Sequence, residues 1–212
     1  YANDHGLKFS TDLDPKKSKT RSLAFLQKER EIKPVVLCGN DLPWVTSCKH
    51  LGNTIVTAMT GDIRHQDVLN KRAAFIDRNN DLIQEFSFAH PKTTAEVNKI
   101  QNSHFYGSVL WNLSSKEVVK LEKSWNVSVR RMFDLPRETH CYLIEAVSDQ
   151  HHVKTILARR FLNFVNAIRN SSKQALRSLL KVVEYDTQSV TGRNLRSILL
   201  ETKVQDVRRS RL

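Results

Sequence analysis

Lysine and arginine are the residues through which this chain could do chemistry. Lys16, Lys17 and Lys19 crowd one turn-prone stretch that opens at Asp14-Pro15. Lys116, Lys120, Lys123, Arg130 and Arg131 recur at helical spacing, and Lys154, Arg159 and Arg160 follow. Cations in such rows contact phosphates; they release counterions and hold a backbone without reading its bases. The whole chain of 212 residues has 34 Lys+Arg against 22 Asp+Glu, a net +12. The excess is uneven: residues 1–106 hold 15 basic and 12 acidic side chains, residues 107–212 hold 19 and 10. Such a balance favours a polyanionic partner, nucleic acid before an anionic membrane. A merely solvated surface is the competing reading for every one of these cations.

The other reactive residue types do not assemble. Cys38, Cys48 and Cys141 are odd in number and widely spaced. That predicts free thiols in a reducing, intracellular compartment rather than a disulfide framework. Cys48 with His50, and His140 with Cys141, lack a four-ligand zinc spacing, so no metal site is expected. There is no G-x-S-x-G, G-x-x-x-x-G-K-[ST], H-E-x-x-H or G-x-G-x-x-G. Asp12 and Asp14 would share one face of a strand, but Pro15 beside them favours a turn. His151 and His152 read as exposed first-turn residues of a helix. No run approaches the ~20 apolar residues of a membrane span, and Tyr1 to Gly6 lacks the plan of a signal peptide. A chain that opens at Tyr1 rather than Met reads as a fragment or an incomplete gene product.

The elements that must position these cations fall into two textures, which predict an α+β fold, mainly α. Residues 1–60 hold three of the six glycines and three of the five prolines, with short apolar runs at Leu23–Leu26, Val35–Leu37 and Thr54–Val56. Gly39-Asn40-Asp41 between Val35-Val36-Leu37 and Trp44-Val45 predicts a hairpin turn, and three or four short antiparallel strands are expected. From Asp62 the pattern turns helical, with helices near 62–87, 93–106, 116–133, 138–147, 150–169, 172–184 and 193–202. Thr93 with Glu96, Ser114 with Glu117 and Ser171 with Gln174 fit capping boxes, while Pro91 and Pro136 mark breaks.

On helix 116–133, Val118, Leu121, Trp125, Val129 and Met132 share one face within about 60° of Val118. Lys116, Lys120, Lys123, Arg130 and Arg131 occupy the opposite face, with no acid among them. A simply solvated face usually interleaves both signs. Helix 150–169 is similar: Val153, Ile156, Leu157, Phe164, Val165 and Ile168 form its apolar side, and Lys154, Arg159, Arg160 and Arg169 its polar side.

Three segments in order carry a resemblance. Gly6-Leu7-Lys8-Phe9 is followed by Asp14-Pro15-Lys16-Lys17-Ser18-Lys19, and then by Cys48-Lys49-His50-Leu51-Gly52-Asn53-Thr54-Ile55. The text resembles the stretch after the catalytic aspartates in a reverse transcriptase of the LINE-like, non-long-terminal-repeat retrotransposon type. Gly39-Asn40-Asp41-Leu42-Pro43-Trp44-Val45, Phe133-Asp134-Leu135-Pro136 and Arg160-Phe161-Leu162 extend it over nearly the whole chain. Asp14 stands where the family has asparagine, and Cys48 where it has an aromatic residue.

The resemblance implies three parts. Residues 1–60 would be the C-terminal end of the palm, with motifs D and E. Residues 61–135 would be a helical thumb, and residues 136–212 a further basic helical segment. Lys17 would be the motif D lysine, approaching the triphosphate of the incoming nucleotide, where a cation stabilises the leaving pyrophosphate. Lys49, His50, Leu51 and Gly52 would form the primer grip, with glycine letting the backbone come close to the primer. The implied partners are an RNA template, a DNA primer and the remainder of the palm, with no membrane. Mg²⁺ would serve the intact polymerase, on carboxylates upstream of this chain, which alone would be inactive; Asn3-Asp4 is the weak rival for that box. An active parent would work in the cytoplasm and nucleus. The alternative, of another class, is a stand-alone basic helical module that binds nucleic acid or acts as a scaffold.

Overall fold

Two residue pairs ending in glycine set the strands of the first part of the chain. β1 (Val35–Leu37) pairs antiparallel with β2 (Asn40–Leu42), Val35 opposite Leu42 and Leu37 opposite Asn40. β3 (Ser47–His50) pairs with β4 (Asn53–Val56), Ser47 opposite Val56 and His50 opposite Asn53. The connecting pairs are Cys38-Gly39, with φ 53° and 78°, and Leu51-Gly52, with φ 48° and 79°. Positive φ at both central residues is the type I′ geometry, whose twist matches that of the strands.

The computed structural model describes residues 9–12, 14, 17, 19–24, 33, 35–57, 65–101, 105–149 and 151–209. Tyr1–Asp67 and Val68–Leu212 are two separate units. The expected helix end at Gly6, Asn3-Asp4, Lys16, Ser18 and Phe25-Leu26 lie outside the described residues.

In the first unit the described residues hold four short strands, where three or four were expected, but they do not all fall on the expected runs. The first turn is Cys38-Gly39 rather than Gly39-Asn40-Asp41, so the second strand begins at Asn40 and ends before Trp44. Trp44 instead makes an isolated parallel bridge with Ser22. The Ser22 N–H donates to the Pro43 carbonyl, and the Val45 N–H to the Ser22 carbonyl, both at 3.0 Å. Leu23 and Ala24 therefore follow a bridge and do not form a strand. Around Asp14 a turn forms as expected: the Lys17 N–H donates to the Asp14 carbonyl at 3.0 Å, and the Asp14 N–H to Asp12 Oδ1 at 2.9 Å.

The second unit is helical: most of α1 (Gln66–Glu85), then α2 (Pro91–Gln101), α3 (Lys116–Met132), α4 (Cys141–Ser148), α5 (Val153–Arg169), α6 (Gln174–Tyr185) and α7 (Val190–Arg209). The capping boxes are displaced. α2 starts at Pro91, the residue read as a break; its fixed φ suits a first helical position, and His90 Nδ1 accepts from the Lys92 N–H at 3.2 Å. Ser115, not Ser114, caps α3 by accepting from the Val118 N–H at 3.3 Å. Lys173 occupies the cap position of α6, and the Ser171 hydroxyl accepts from its N–H at 3.2 Å. α7 begins three residues earlier than expected because the Ser189 hydroxyl accepts from the Gly192 N–H at 2.9 Å.

The core gathers around Trp125. Phe75 of α1 stacks on it at 5.5 Å and 16°, and Phe105 lies 6.4 Å away. Val118, Leu121, Trp125, Val129 and Met132 are buried, as the helical spacing predicts. Truncating a buried Trp of this kind costs about 3–5 kcal/mol. α5 contributes Val153 and Leu157 to this core. Phe161, absent from the expected apolar side, is buried, whereas Phe164 is exposed. His151 and His152 precede α5 rather than form its first turn, and the His152 N–H donates to Glu145 Oε1 at 2.7 Å. Phe161 and Val165 instead meet Leu180 of α6 and Ile198 of α7 in a second cluster. Asn194 fastens α7: its side chain accepts from the Leu113 N–H at 3.0 Å and donates to the Trp111 carbonyl at 2.8 Å.

Candidate nucleic-acid interface

α3 presents its cations because burial of the Val118–Met132 stripe leaves the opposite side outward. Lys116, Lys120, Lys123 and Arg131 are exposed along that side. Among the described residues, Lys116, Lys120 and Lys123 have no acidic partner. Such a row can neutralise successive phosphates without losing charge to an internal ion pair.

Arg130 does not join them. Its Nε and Nη2 donate to the Thr139 carbonyl at 3.1 and 2.6 Å, and Nη2 reaches Cys141 Sγ at 3.7 Å. The guanidinium is half-buried and satisfies a backbone acceptor in the α3–α4 connection. Arg131 turns the other way, donating from Nη1 to Asn80 Oδ1 of α1 at 2.6 Å.

The α5 cations are dispersed. Lys154 Nζ lies 3.4 Å from Glu122 Oε2, an ion pair to α3. Arg159 is exposed, and at 100° per residue it stands about 140° around the helix from Lys154. Arg160 is half-buried, and desolvation lowers its pKa from the ordinary guanidinium value. A guanidinium keeps its charge under such burial.

In the first unit, Lys17 and Lys19 are exposed beside the Asp14 turn. Lys49 and His50 end β3 and are exposed, and Leu51-Gly52 is the tip of the β3–β4 hairpin. Leu51 is 71% exposed at φ 48°. That region disfavours branched side chains, and leucine at an exposed turn also leaves apolar surface in water.

Sequence reasoning passed over Arg72, whose Nε donates to Ser124 Oγ at 2.8 Å. With Asn79, Asn80, Lys123, Ser128 and Arg131 it lines a groove of about 310 Å³ between α1 and α3. The available signal was the spacing of Arg72, Asn79 and Asn80, which puts them on one face of the expected helix 62–87.

Among the described residues, no three His, Cys, Asp or Glu side chains are grouped to hold a metal ion. The Mg²⁺ that the resemblance implies therefore has no fitting ligand set there. No helix among them is long and apolar enough to cross a membrane. The chain matches no family model, no curated protein and no solved structure.

Proposed function

We propose that this chain is the primer-grip and thumb portion of an RNA-directed DNA polymerase of the retrotransposon type. Its role is to bind a primed RNA template through the phosphate backbone. The carboxylates that hold the catalytic Mg²⁺ belong to a preceding part of the parent enzyme, which works in the cytoplasm and nucleus.

Leu51 is the observation that carries this reading. The residues that resemble the primer grip fold as a two-residue hairpin with leucine at its tip, in a backbone conformation better suited to Asn or Gly. An apolar tip beside Lys49 and His50 suits a sugar-phosphate: Leu51 packs on the sugar while the cation meets the phosphate. The helical unit supplies a second contact, the acid-free row Lys116, Lys120 and Lys123.

Photo-crosslinking tests the assignment. A primer with a photoreactive base at its 3′ end, annealed to an RNA template, should form an adduct on the peptide that contains residues 49–52. An adduct confined to other peptides, or none at all, would refute the primer-grip role. Nucleotide incorporation by the same complex should stay at background with Mg²⁺ or Mn²⁺.

A further inference from the structure

α6 meets the rest of the helical unit along a narrow strip. Leu180 is its buried side chain, and Val183 is half-buried against the same cluster of Phe161, Val165 and Ile198. Leu176, Leu179 and Val182 are 41%, 60% and 67% exposed. They recur every third residue, a spacing at which side chains of one helix are neighbours. On α7, Leu199 stands about 40° around the helix from Leu195, which packs on that cluster, and it is 58% exposed. An apolar strip thus extends from α6 toward α7, the helix packed beside it.

The charge around this strip is of one sign. Lys173, Arg177 and Lys181 are spaced by four from the cap position of α6 and are exposed, as is Arg193 of α7. Among the described residues none of the four has a carboxylate partner. Arg196 adds a guanidinium whose Nη2 donates to the neutral Thr187 carbonyl at 3.1 Å. The acids of the two helices and their turn are committed or face elsewhere. Glu184 Oε1 accepts from Arg169 Nη2 at 2.7 Å, and Asp186 Oδ1 accepts from the Gln188 N–H at 2.8 Å. Glu201 lines a cavity with Lys154, about 160° around α7 from Leu199.

These facts select among occupants. A second copy of this chain would bring the same cations up against them. A nucleic-acid backbone would suit the cations and leave the aliphatic strip in water. A bilayer surface holds a helix in proportion to the apolar area buried, with aromatic anchors; Leu180 and Val183 are already packed inward, and α6 has no Phe or Trp. A helix with its own apolar row and acidic flanks covers the strip and meets the cations together.

We infer that the outer side of α6, with Leu199 of α7, docks an acidic amphipathic helix of a partner protein. Its apolar row lies on Leu176, Leu179 and Val182, and its carboxylates meet Lys173, Arg177, Lys181 and Arg193. α6, 12 residues and about 18 Å long, offers about three turns of contact. Docking here is independent of the proposed polymerase role.

The test titrates fluorescein-labelled peptides of three heptads with the full chain and follows anisotropy. One peptide carries Leu at the apolar positions and Glu at the flanking ones. A second has Lys in place of Glu, and a third has the residues of the first in scrambled order. The Glu peptide should bind about tenfold tighter than either control, because it alone joins the apolar register to the right charge. Leu179→Ser with Val182→Ser should weaken it about tenfold or more, as two aliphatic side chains no longer leave water, and should leave affinity for a primed template unchanged. Arg177→Glu with Lys181→Glu should shift the preference to the Lys peptide. All four side chains are exposed, and should the serine variant still fail to fold, the charge-reversed one decides alone. Equal binding of the Glu and scrambled peptides, or no loss in either variant, would overturn the inference. So would a dimer seen by sedimentation, or binding to phosphatidylserine vesicles, that Leu179→Ser with Val182→Ser abolishes; the strip would then belong to a second copy or to a lipid surface.

Discussion

Arg130 donates twice to the Thr139 carbonyl, at 3.1 and 2.6 Å. On a helical wheel it belongs with the lysines of α3, yet its chemistry here is to satisfy the backbone between α3 and α4. Arg130→Gln removes a charge-assisted pair of bonds and leaves a half-buried carbonyl without its donor. The expected loss is about 1–3 kcal/mol, read as a lower urea midpoint at unchanged slope. Affinity for nucleic acid and its salt dependence should stay as in the wild type. A variant that kept its midpoint but bound weakly would place Arg130 on the interface after all.

Asn194 stitches α7 to the segment before α3 through the Leu113 N–H and the Trp111 carbonyl, and its side chain is fully buried. Asn194→Leu orphans a donor and an acceptor, each costing about 1–3 kcal/mol. Thermal unfolding should shift down by several degrees, more than for any exposed substitution on the same helix. A shift within experimental error would contradict the role given to this side chain.

Gly192 is a steric requirement of the α6–α7 turn. A Cβ there would lie 2.5 Å from the Asp186 carbonyl oxygen and 2.9 Å from that of Val183. Both are backbone atoms and cannot swing aside. Gly192→Ala should therefore destabilise by about 1–3 kcal/mol despite its better helix propensity. Chemical denaturation of the pair of proteins checks it; a more stable alanine variant would show that the turn relaxes freely.

Leu51 offers a separation of stability from binding. Asn tolerates φ 48° better than leucine, so Leu51→Asn should stabilise the hairpin by up to about 1 kcal/mol. The same change removes the apolar tip, and affinity for a primed template should fall. Denaturation and anisotropy titrations on one preparation give both numbers. Tighter binding by the stabilised variant would argue against a primer contact at Leu51.

Much of the fold was legible because its signals are local. The stripe Val118, Leu121, Trp125, Val129 and Met132 has helical spacing, and all five are buried. The pairs Cys38-Gly39 and Leu51-Gly52 lie between short β-prone runs, so hairpins follow, although the first turn falls a residue earlier than Gly39-Asn40-Asp41 suggests. Helix starts were less legible. Ser114 and Ser115 are chemically alike, and which one caps depends on how α3 meets the preceding turn. The candidate site was half legible. Spacing finds the side of α3 that faces outward but not which cations a backbone carbonyl or a carboxylate claims. Arg130 and Thr139 are nine residues apart, and Lys154 and Glu122 are thirty-two apart. The α1–α3 groove depends on residues 51 and 52 positions apart. Its pairing is a product of tertiary packing.

The most direct test of the account is the salt dependence of binding to a primed RNA template, wild type against a variant with Lys116, Lys120 and Lys123 all changed to Gln. Exposed substitutions of this kind fall within about 0.5 kcal/mol each, so the variant should remain folded. For the wild type, the observed association constant should fall steeply with salt on a log–log plot. The variant should bind more weakly, with a slope reduced by up to about one unit for each phosphate that is no longer neutralised. A folded variant with the wild-type affinity and slope, or a wild-type chain that does not bind, would contradict the account.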